Sequence, residues 1–257
     1  MELGYAVAGL VVGFIVGLTG VGGGSLMTPI LLWFGINPAT AVGTDLLYAA
    51  LTKAGGVFVH HRQKHVDWKL TGWLAAGSVP ASLVTLYVLS QLHLSGNVLN
   101  AIFKLVLGIA LLLTALSILL KPWLMKVIGR RVGNLDPNPQ PHILPTILIG
   151  VSLGVLVTLS SIGAGALGTL ALFLLYPALP TTRLVGTEIA HAVPLTLVAG
   201  LGHASLGNLD YMLLINLLVG SLPGIWLGSK LTRRLAEAWL RPALAVMLAV
   251  VGAKLVF

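Results

Sequence analysis

The stretch LTGVGGGSL at residues 18–26 recurs in altered form as LSSIGAGAL at residues 159–167. Further along the chain, VGTD at residues 42–45 matches VGTE at residues 185–188, at an offset of 143 residues. The same offset pairs His60 with His203, Asp67 with Asp210, and Gly77, Ser78 and Pro80 with Gly220, Ser221 and Pro223. These matches indicate an internal duplication, which is typical of transporter folds built from two related helical bundles.

Composition indicates that both halves lie in a membrane. Of the 257 residues, 57% are hydrophobic and 9% are charged, whereas about a quarter of the residues in soluble domains are charged. Uninterrupted apolar runs predict helices, because lipid leaves backbone groups to be satisfied within the helix. We therefore predict an all-α integral membrane protein with about ten transmembrane segments, at residues 3–19, 25–35, 40–59, 69–91, 97–120, 143–160, 163–177, 184–203, 209–230 and 239–257.

The net charge of +8 comes from Lys and Arg residues in short clusters between the apolar runs. Such clusters mark cytoplasmic loops, so no nucleic-acid partner is expected. If each repeat crosses five times, these clusters all fall on one side of the membrane, and the two halves are inverted repeats with both termini outside. The predicted organisation is an N-terminal repeat at 1–120, a cytoplasmic linker at 121–142 and a C-terminal repeat at 143–257.

The second apolar segment of each repeat is too short to cross. As a helix, residues 25–35 rise about 16 Å against a hydrocarbon core of about 30 Å. Each short segment follows a glycine-rich loop, where backbone N–H groups and a helix start can bind an anion. The alternative is that these glycines only allow close helix packing. The candidate substrate-binding residues are Thr19, Gly20, Gly22, Gly23, Gly24 and Ser25 in the first half, and Ser160, Ser161, Gly163 and Gly165 in the second.

Ionisable residues inside apolar segments are the candidate coupling groups, because charge in lipid is costly and usually functional. Asp45 and Glu188 each end the VGT-acid motif, and His191 follows Glu188 by one helical turn. These groups can carry a proton or hold a coupling cation; the alternative is that each acid caps a helix start. Lys53, two turns after Asp45, can attract an anion, neutralise Asp45 or extend its amine to the membrane surface.

Enzymatic chemistry has little support in the sequence. The chain has no cysteine, and the cluster of His60, His61 and His65 lacks the spacing of a metal site. We expect no metal, no cofactor and no catalytic residue. An intramembrane enzyme using Glu188 and His191 is the alternative from another class, and turnover of a substrate by purified protein would support it.

The motif GLTGVGGGSLMTPILL at 17–32, followed by NPATAVGTDL at 37–46, resembles the TauE/SafE family of sulfite and organosulfonate exporters, also called the toluene sulfonate uptake permease family. The resemblance implies sulfite, sulfoacetate or another organosulfonate as substrate and a bacterial or archaeal cytoplasmic (inner) membrane. We interpret the chain as an exporter that works by alternating access, with one repeat moving against the other. An uptake permease or channel for another oxyanion or a carboxylate is the alternative. The implied partners are the small anion, lipid and a coupling proton or cation, and a homodimer is compatible with the sequence.

Overall fold

The computed structural model describes residues 2–19, 24–92, 96–129, 142–231 and 237–257. Within these ranges every regular element is an α-helix, as the composition predicts. The ten helices are α1 (Glu2–Thr19), α2 (Gly24–Trp33), α3 (Pro38–Arg62), α4 (Trp68–Gln91), α5 (Gly96–Gly129), α6 (Ile143–Ser160), α7 (Ala166–Leu175), α8 (Thr181–Ser205), α9 (Tyr211–Leu231) and α10 (Glu237–Val256).

Five of these helices are long and apolar enough to cross a membrane: α4, α5, α6, α8 and α9. Shorter apolar helices accompany them at Leu3–Gly17, Ala166–Leu175 and Pro242–Val256. Large apolar side chains point outward from several helices, including Leu83, Leu116, Leu148, Val219 and Val250, each at least 51% exposed. This outer surface suits lipid, and the prediction of a multi-pass integral membrane protein is confirmed.

The predicted helix limits agree with the structure within a few residues, except at the end of α5. This helix continues through Pro122 to Gly129, nine residues beyond the predicted end at 120. Proline removes one helical hydrogen bond, but the residues after it remain apolar. Leu124, Met125 and Ile128 pack against the buried cluster that α4, α7 and α8 form. Tertiary packing therefore extends the helix into the segment predicted as linker, and residues 130–141 lie outside the described ranges.

The two broken segments are as short as the sequence suggests. Helices α2 and α7 contain 10 residues each, which corresponds to about 15 Å of rise. Helix α6 ends at Ser160, and the chain turns at Ser161, whose φ of 57° lies in the left-handed region. Helix α7 then begins after Gly165. The break between α6 and α7 therefore lies next to a helix start.

Glycines allow the closest helix pairs, α1 with α9 and α4 with α6. A Cβ on Gly13 would lie 2.7 Å from the Cα of Ser221, and one on Gly154 would lie 2.9 Å from the Cα of Ser78. These two contacts correspond under the repeat, because Ser78 and Ser221 are 143 residues apart. Small residues replace hydrophobic burial as the basis of helix association in lipid. For these glycines, close packing is the role that the structure shows.

Helices α3 and α8 lie side by side in the centre and run antiparallel. Near the start of α3, Gly43 meets the backbone of Asn208, which follows α8. Further along α3, Gly56 meets Ile189. Near the start of α8, Gly186 meets the backbone of His65, which follows α3. The contacts thus progress in opposite directions along the two helices, each of which has 25 residues.

The VGT motifs join the two halves through a reciprocal pair of hydrogen bonds, which we call the VGT interlock. The backbone N–H of Asp67, before α4, donates to Thr187 Oγ1 at 2.9 Å. The backbone N–H of Asp210, before α9, donates to Thr44 Oγ1 at 3.2 Å. The VGT motif of each half therefore binds the turn that precedes the fourth helix of the other half, which is α9 for the first motif and α4 for the second. The acid that follows each threonine is placed by this contact.

Candidate functional site

The ionisable side chains of Asp45, Lys53, Glu188 and His191 are buried where α3 and α8 pack together. Their exposed fractions are 0%, 6%, 1% and 0%. Lys53 interacts electrostatically with both carboxylates. We call this group the central charged cluster. The cluster contains two acids and one amine. If all three are ionised and His191 is neutral, one negative charge has no counter-ion. An unpaired charge is costly in a buried site.

Asp45 is held by a side chain from the broken helix α2. The hydroxyl of Thr28 donates to Asp45 Oδ2, while Oδ1 is buried without a hydrogen-bond partner among the described residues. The hydroxyl of Ser161, from the opposite half, also lies near this carboxylate. Asp45 thus joins a side chain of α2 to the α6–α7 loop.

The capping alternative for the two acids is wrong. Helix α3 begins at Pro38, and Asn37 caps it by accepting the N–H of Ala39 at 3.0 Å. Helix α8 begins at Thr181, so Asp45 and Glu188 each lie in the second or third turn. Backbone N–H groups at those depths are already bonded within the helix. The acids are therefore available for other partners.

Glu188 and His191 face each other across one helical turn. Glu188 Oε1 lies 4.0 Å from His191 Nδ1, and neither atom has a hydrogen-bond partner among the described residues. His191 Nε2 lies 2.8 Å from the hydroxyl of Ser78 on α4. A separation of 4.0 Å is too long for a hydrogen bond, but a small rotation of either side chain would allow proton exchange between them.

The glutamate also contacts the broken helix α7. A Cβ on Gly168 would lie 2.5 Å from Glu188 Oε1, so only glycine allows the carboxylate to rest on the first turn of α7. In the first half, the corresponding acid Asp45 bonds Thr28 on α2. Both acids therefore contact the short helix of their own half. Movement of either short helix would change the surroundings of a buried carboxylate.

Lys53 points into the protein, so the interpretation that its amine extends to the membrane surface is wrong. Its Nζ donates to the carbonyl of Ala164, which lies in the loop between α6 and α7. Arg183 behaves differently: its guanidinium donates to Asp67 Oδ2 at 2.8 Å, with side chains 35% and 18% exposed. Of these two cations, only Lys53 belongs to the buried centre.

In the second glycine-rich loop, Ser160 and Ser161 have different roles. Ser160 Oγ donates to the carbonyl of Leu156 at 2.6 Å and accepts the N–H of Ile162 at 3.1 Å. Its hydroxyl is therefore committed to the backbone and shapes the turn. Ser161 Oγ is buried without a hydrogen-bond partner among the described residues. Of the two predicted binding serines, Ser161 has the hydroxyl that is not committed to the backbone, and it lies beside the Asp45 carboxylate.

The two glycines of this loop adopt conformations that suit a close backbone approach. Gly163 has a φ of 121°, which side chains with a Cβ rarely adopt. Its carbonyl accepts the N–H of Gly168 at 3.0 Å, which ties the loop to the first turn of α7. Gly165 is the residue before the helix start, and a Cβ there would meet no atom of the described residues within 4 Å. Within the described ranges, space therefore borders the start of α7.

The first glycine-rich loop is described only at its edges. Thr19 is the last residue of α1, and Gly24 and Ser25 are the first residues of α2. Gly20, Gly22 and Gly23 lie outside the described residues. The anion-binding role of this loop stays a prediction.

Sequence reasoning missed several partners of the central charged cluster. Thr28 binds Asp45, Ser78 binds His191, and Gly168 contacts Glu188. The sequence did mark one of these partners, because Ser78 recurs as Ser221 in the second repeat. The structure shows the same pairing in both halves: Ser78 binds His191, and Ser221 lies beside Tyr48, which corresponds to His191. Recurrence marks such positions as important without showing what they contact. No group of three or more His, Asp or Glu residues with metal-site geometry occurs within the described ranges.

A bundle of apolar helices around a buried charged centre is typical of a multi-pass integral membrane protein. The chain belongs to the sulfite exporter TauE/SafE family, whose sequence profile matches residues 5–255.

Relatives named as probable membrane transporter proteins match 95% or more of the chain. The protein is 42% identical over 256 residues to the probable membrane transporter protein YjnA of Bacillus subtilis, covering 100% of both chains. It is 27% identical over 250 residues to the probable membrane transporter protein YdhB of the same organism, covering 95% of this chain and 96% of the relative. A probable membrane transporter protein of Methanocaldococcus jannaschii is 29% identical over 263 residues, covering 95% and 92%. No solved structure matches.

Proposed function

We propose that this protein is a secondary transporter that exports a small sulfur-containing anion, such as sulfite, sulfoacetate or another organosulfonate, across the cytoplasmic membrane of a bacterium or archaeon. The family description supports the substrate class. Relatives from Bacillus subtilis and Methanocaldococcus jannaschii support the type of cell.

The observation that carries the proposal is the central charged cluster. Two carboxylates share one lysine within the membrane domain, so taking up one proton or one monovalent cation balances the charge. Each carboxylate also contacts the short helix of its own half, through Thr28 on α2 and Gly168 on α7. An ion bound at the acids and an anion bound at the short helices would therefore affect each other's affinity.

The proposed mechanism is alternating access, in which one half moves against the other around this cluster. Inverted repeats are the usual basis of such motion. The antiparallel packing of the equivalent helices α3 and α8 supports an inverted relation between the halves. The reciprocal VGT interlock, in which Thr44 and Thr187 receive corresponding N–H groups from the opposite half, supports a two-fold relation between the halves. The interlock lies where a pivot between the halves is expected.

Transport into liposomes tests this function. Purified protein is reconstituted, and uptake of labelled sulfite is measured with and without a proton gradient, both as net flux and as exchange of internal for external anion. Asp45→Asn retains an acceptor for the Thr28 hydroxyl but cannot titrate, and Glu188→Gln is nearly isosteric. We expect both variants to lose gradient-driven net flux by at least tenfold while anion exchange continues, because exchange needs no net movement of the coupling ion.

Protein-free liposomes and Thr196→Val provide the controls, since among the described residues Thr196 Oγ1 bonds the carbonyls of Ala192 and Val193 in its own helix. Wild-type net flux in both acid variants would exclude the carboxylates as coupling groups. Conductive sulfite movement down its own electrochemical gradient, independent of the proton gradient, would indicate a channel. Conversion of substrate by detergent-purified protein would instead indicate an intramembrane enzyme.

A further inference from the structure

We infer that Lys53 and Ser161 form an anion site that exists in only one half of the duplicated fold, and that its ligand is a small oxyanion such as sulfite or a sulfonate. This inference rests on the proposed function and deepens it by locating the negative charge of the substrate.

Lys53 is a buried cation with unused hydrogen-bonding capacity. It is 6% exposed, and its Nζ bonds the neutral carbonyl of Ala164. A lysine ammonium has three N–H donors. Within the described part of the chain, the carbonyl of Ala164 is the hydrogen-bond acceptor that Lys53 has. A buried ammonium is stable only with charged or hydrogen-bonding company. Among the described residues two donors therefore have no hydrogen-bond acceptor, and an anion beside the α6–α7 loop would share the ammonium with Asp45 and Glu188.

The repeat shows that the fold itself does not require this cation. At the offset of 143 residues, Lys53 corresponds to Thr196. Thr196 Oγ1 donates to the carbonyl of Ala192 at 2.8 Å within its own helix. Helices α3 and α8 otherwise have the same length and the same interlock. The charge of Lys53 is therefore a feature that distinguishes the halves, as expected of a ligand-binding group.

Ser161 supplies a second donor from the same loop. Its side chain is 3% exposed, and Oγ has no hydrogen-bond partner among the described residues. The hydroxyl lies beside the Asp45 carboxylate, and a bound anion would compete with that carboxylate for its proton. By alignment its counterpart is Gly20, which has no hydroxyl. Helix α7 starts five residues later, after Gly165 and the space beside it, so its positive end faces the same region.

The geometry suits an anion with several oxygens. Ala164, which Lys53 contacts, is three residues after Ser161. A sulfite or sulfonate group presents three acceptor oxygens, enough for the ammonium, the hydroxyl and a backbone N–H at the helix start. A halide would satisfy fewer of these donors. The site therefore predicts selectivity for oxyanions and one bound anion per chain.

Asp45 and Glu188 compete with the anion, because both interact with Lys53. His191 faces Glu188 from the same helix. Removing a carboxylate charge should therefore tighten anion binding, whereas removing the lysine charge should weaken it. If Lys53 had only a packing role, the carboxylate and lysine substitutions would not change anion affinity in opposite directions.

Isothermal titration of the full chain in lipid nanodiscs, with sulfite and then sulfoacetate, tests the site. We expect Lys53→Met to weaken binding at least tenfold, Ser161→Ala to weaken it about threefold or more, and Glu188→Gln to tighten it. The matched controls are Thr196→Val, at the equivalent position, and Ser152→Ala, an exposed serine on α6 whose hydroxyl bonds Leu148. Both controls should bind like the wild type.

The outcomes separate this inference from the proposed function. Wild-type affinity in a monodisperse Lys53→Met protein would overturn the inference while leaving transport intact. Wild-type protein that neither binds nor moves any oxyanion tested would overturn the proposed function and the site together. If Lys53→Met does not fold, Ser161→Ala and Glu188→Gln decide: unchanged affinity in Ser161→Ala, or weaker affinity in Glu188→Gln, would overturn the inference.

Discussion

The substitution Gly43→Ala adds one carbon where α3 meets the turn before α9. Its Cβ would lie 2.9 Å from His203 Cβ and 3.1 Å from the carbonyl carbon of Asn208, and would overlap that carbonyl's oxygen. Carbon atoms in contact are normally about 3.5–4.0 Å apart, so the two segments must separate by roughly 0.5–1 Å. Overpacking of this kind destabilises by about 1–3 kcal/mol. Better helix propensity recovers about 0.5–1 kcal/mol, leaving a net loss of about 1–2 kcal/mol.

Gly55→Ala, in the same helix, is the matched control, because a Cβ there would meet no atom within 4 Å. It should leave stability unchanged or raise it by up to about 1 kcal/mol. Thermal unfolding of both proteins in one detergent measures the difference. The two variants should differ by about 1–3 kcal/mol, so at roughly 2–4 °C per kcal/mol for a chain of this size Gly43→Ala should melt about 2–12 °C below Gly55→Ala. Gradient-driven flux should also fall in Gly43→Ala alone, because the separation moves Thr44 and Asp45.

A Gly43→Ala protein that melts at or above the Gly55→Ala midpoint would refute the reasoning. The interlock would then be loose enough to accept a methyl group, and Gly43 would have no packing role.

Two further predictions concern the second half and the topology. Ser78→Ala leaves the Nε2 atom of buried His191 unpaired, so we expect the free energy of unfolding to fall by about 1–3 kcal/mol. A lower unfolding midpoint would show this loss. An unchanged midpoint would mean that the hydrogen bond between Ser78 and His191 contributes nothing to stability. Single cysteines at Gln63 and Ser205, both exposed, should react with an impermeant thiol reagent from the cytoplasmic and the outer side respectively, and labelling of both from one side would exclude inverted repeats.

The positions of the helices were predictable because each depends on local sequence. An apolar run in lipid must form a helix to satisfy its own backbone, so the segments near 69–91 and 143–160 match α4 and α6 closely. Glycine-rich stretches before short runs likewise predicted the breaks before α2 and α7. The end of α5 was not predictable, because the contacts of Leu124, Met125 and Ile128 with other helices extend it past Pro122.

The candidate site was predictable in part. Asp45, Glu188 and Lys53 stood out because charge inside an apolar segment is costly wherever the segment packs. Their partners were not apparent. Thr28, Ser78 and the loop carbonyl of Ala164 are ordinary residues in an apolar sequence, and their roles depend on which helix faces meet.

The sequence by itself determined the membrane environment, the duplication, the short helices and the buried acids, since each follows from the chemistry of a local stretch. Only the tertiary structure decided that Lys53 bonds Ala164, 111 residues away, and that Thr187 accepts the N–H of Asp67, 120 residues away. Such contacts depend on how two surfaces fit, and small residues such as Gly43 and Gly186 set that fit by letting backbones approach. Periodicity gives the face that a residue occupies on its own helix; only packing determines which face of another helix lies against it.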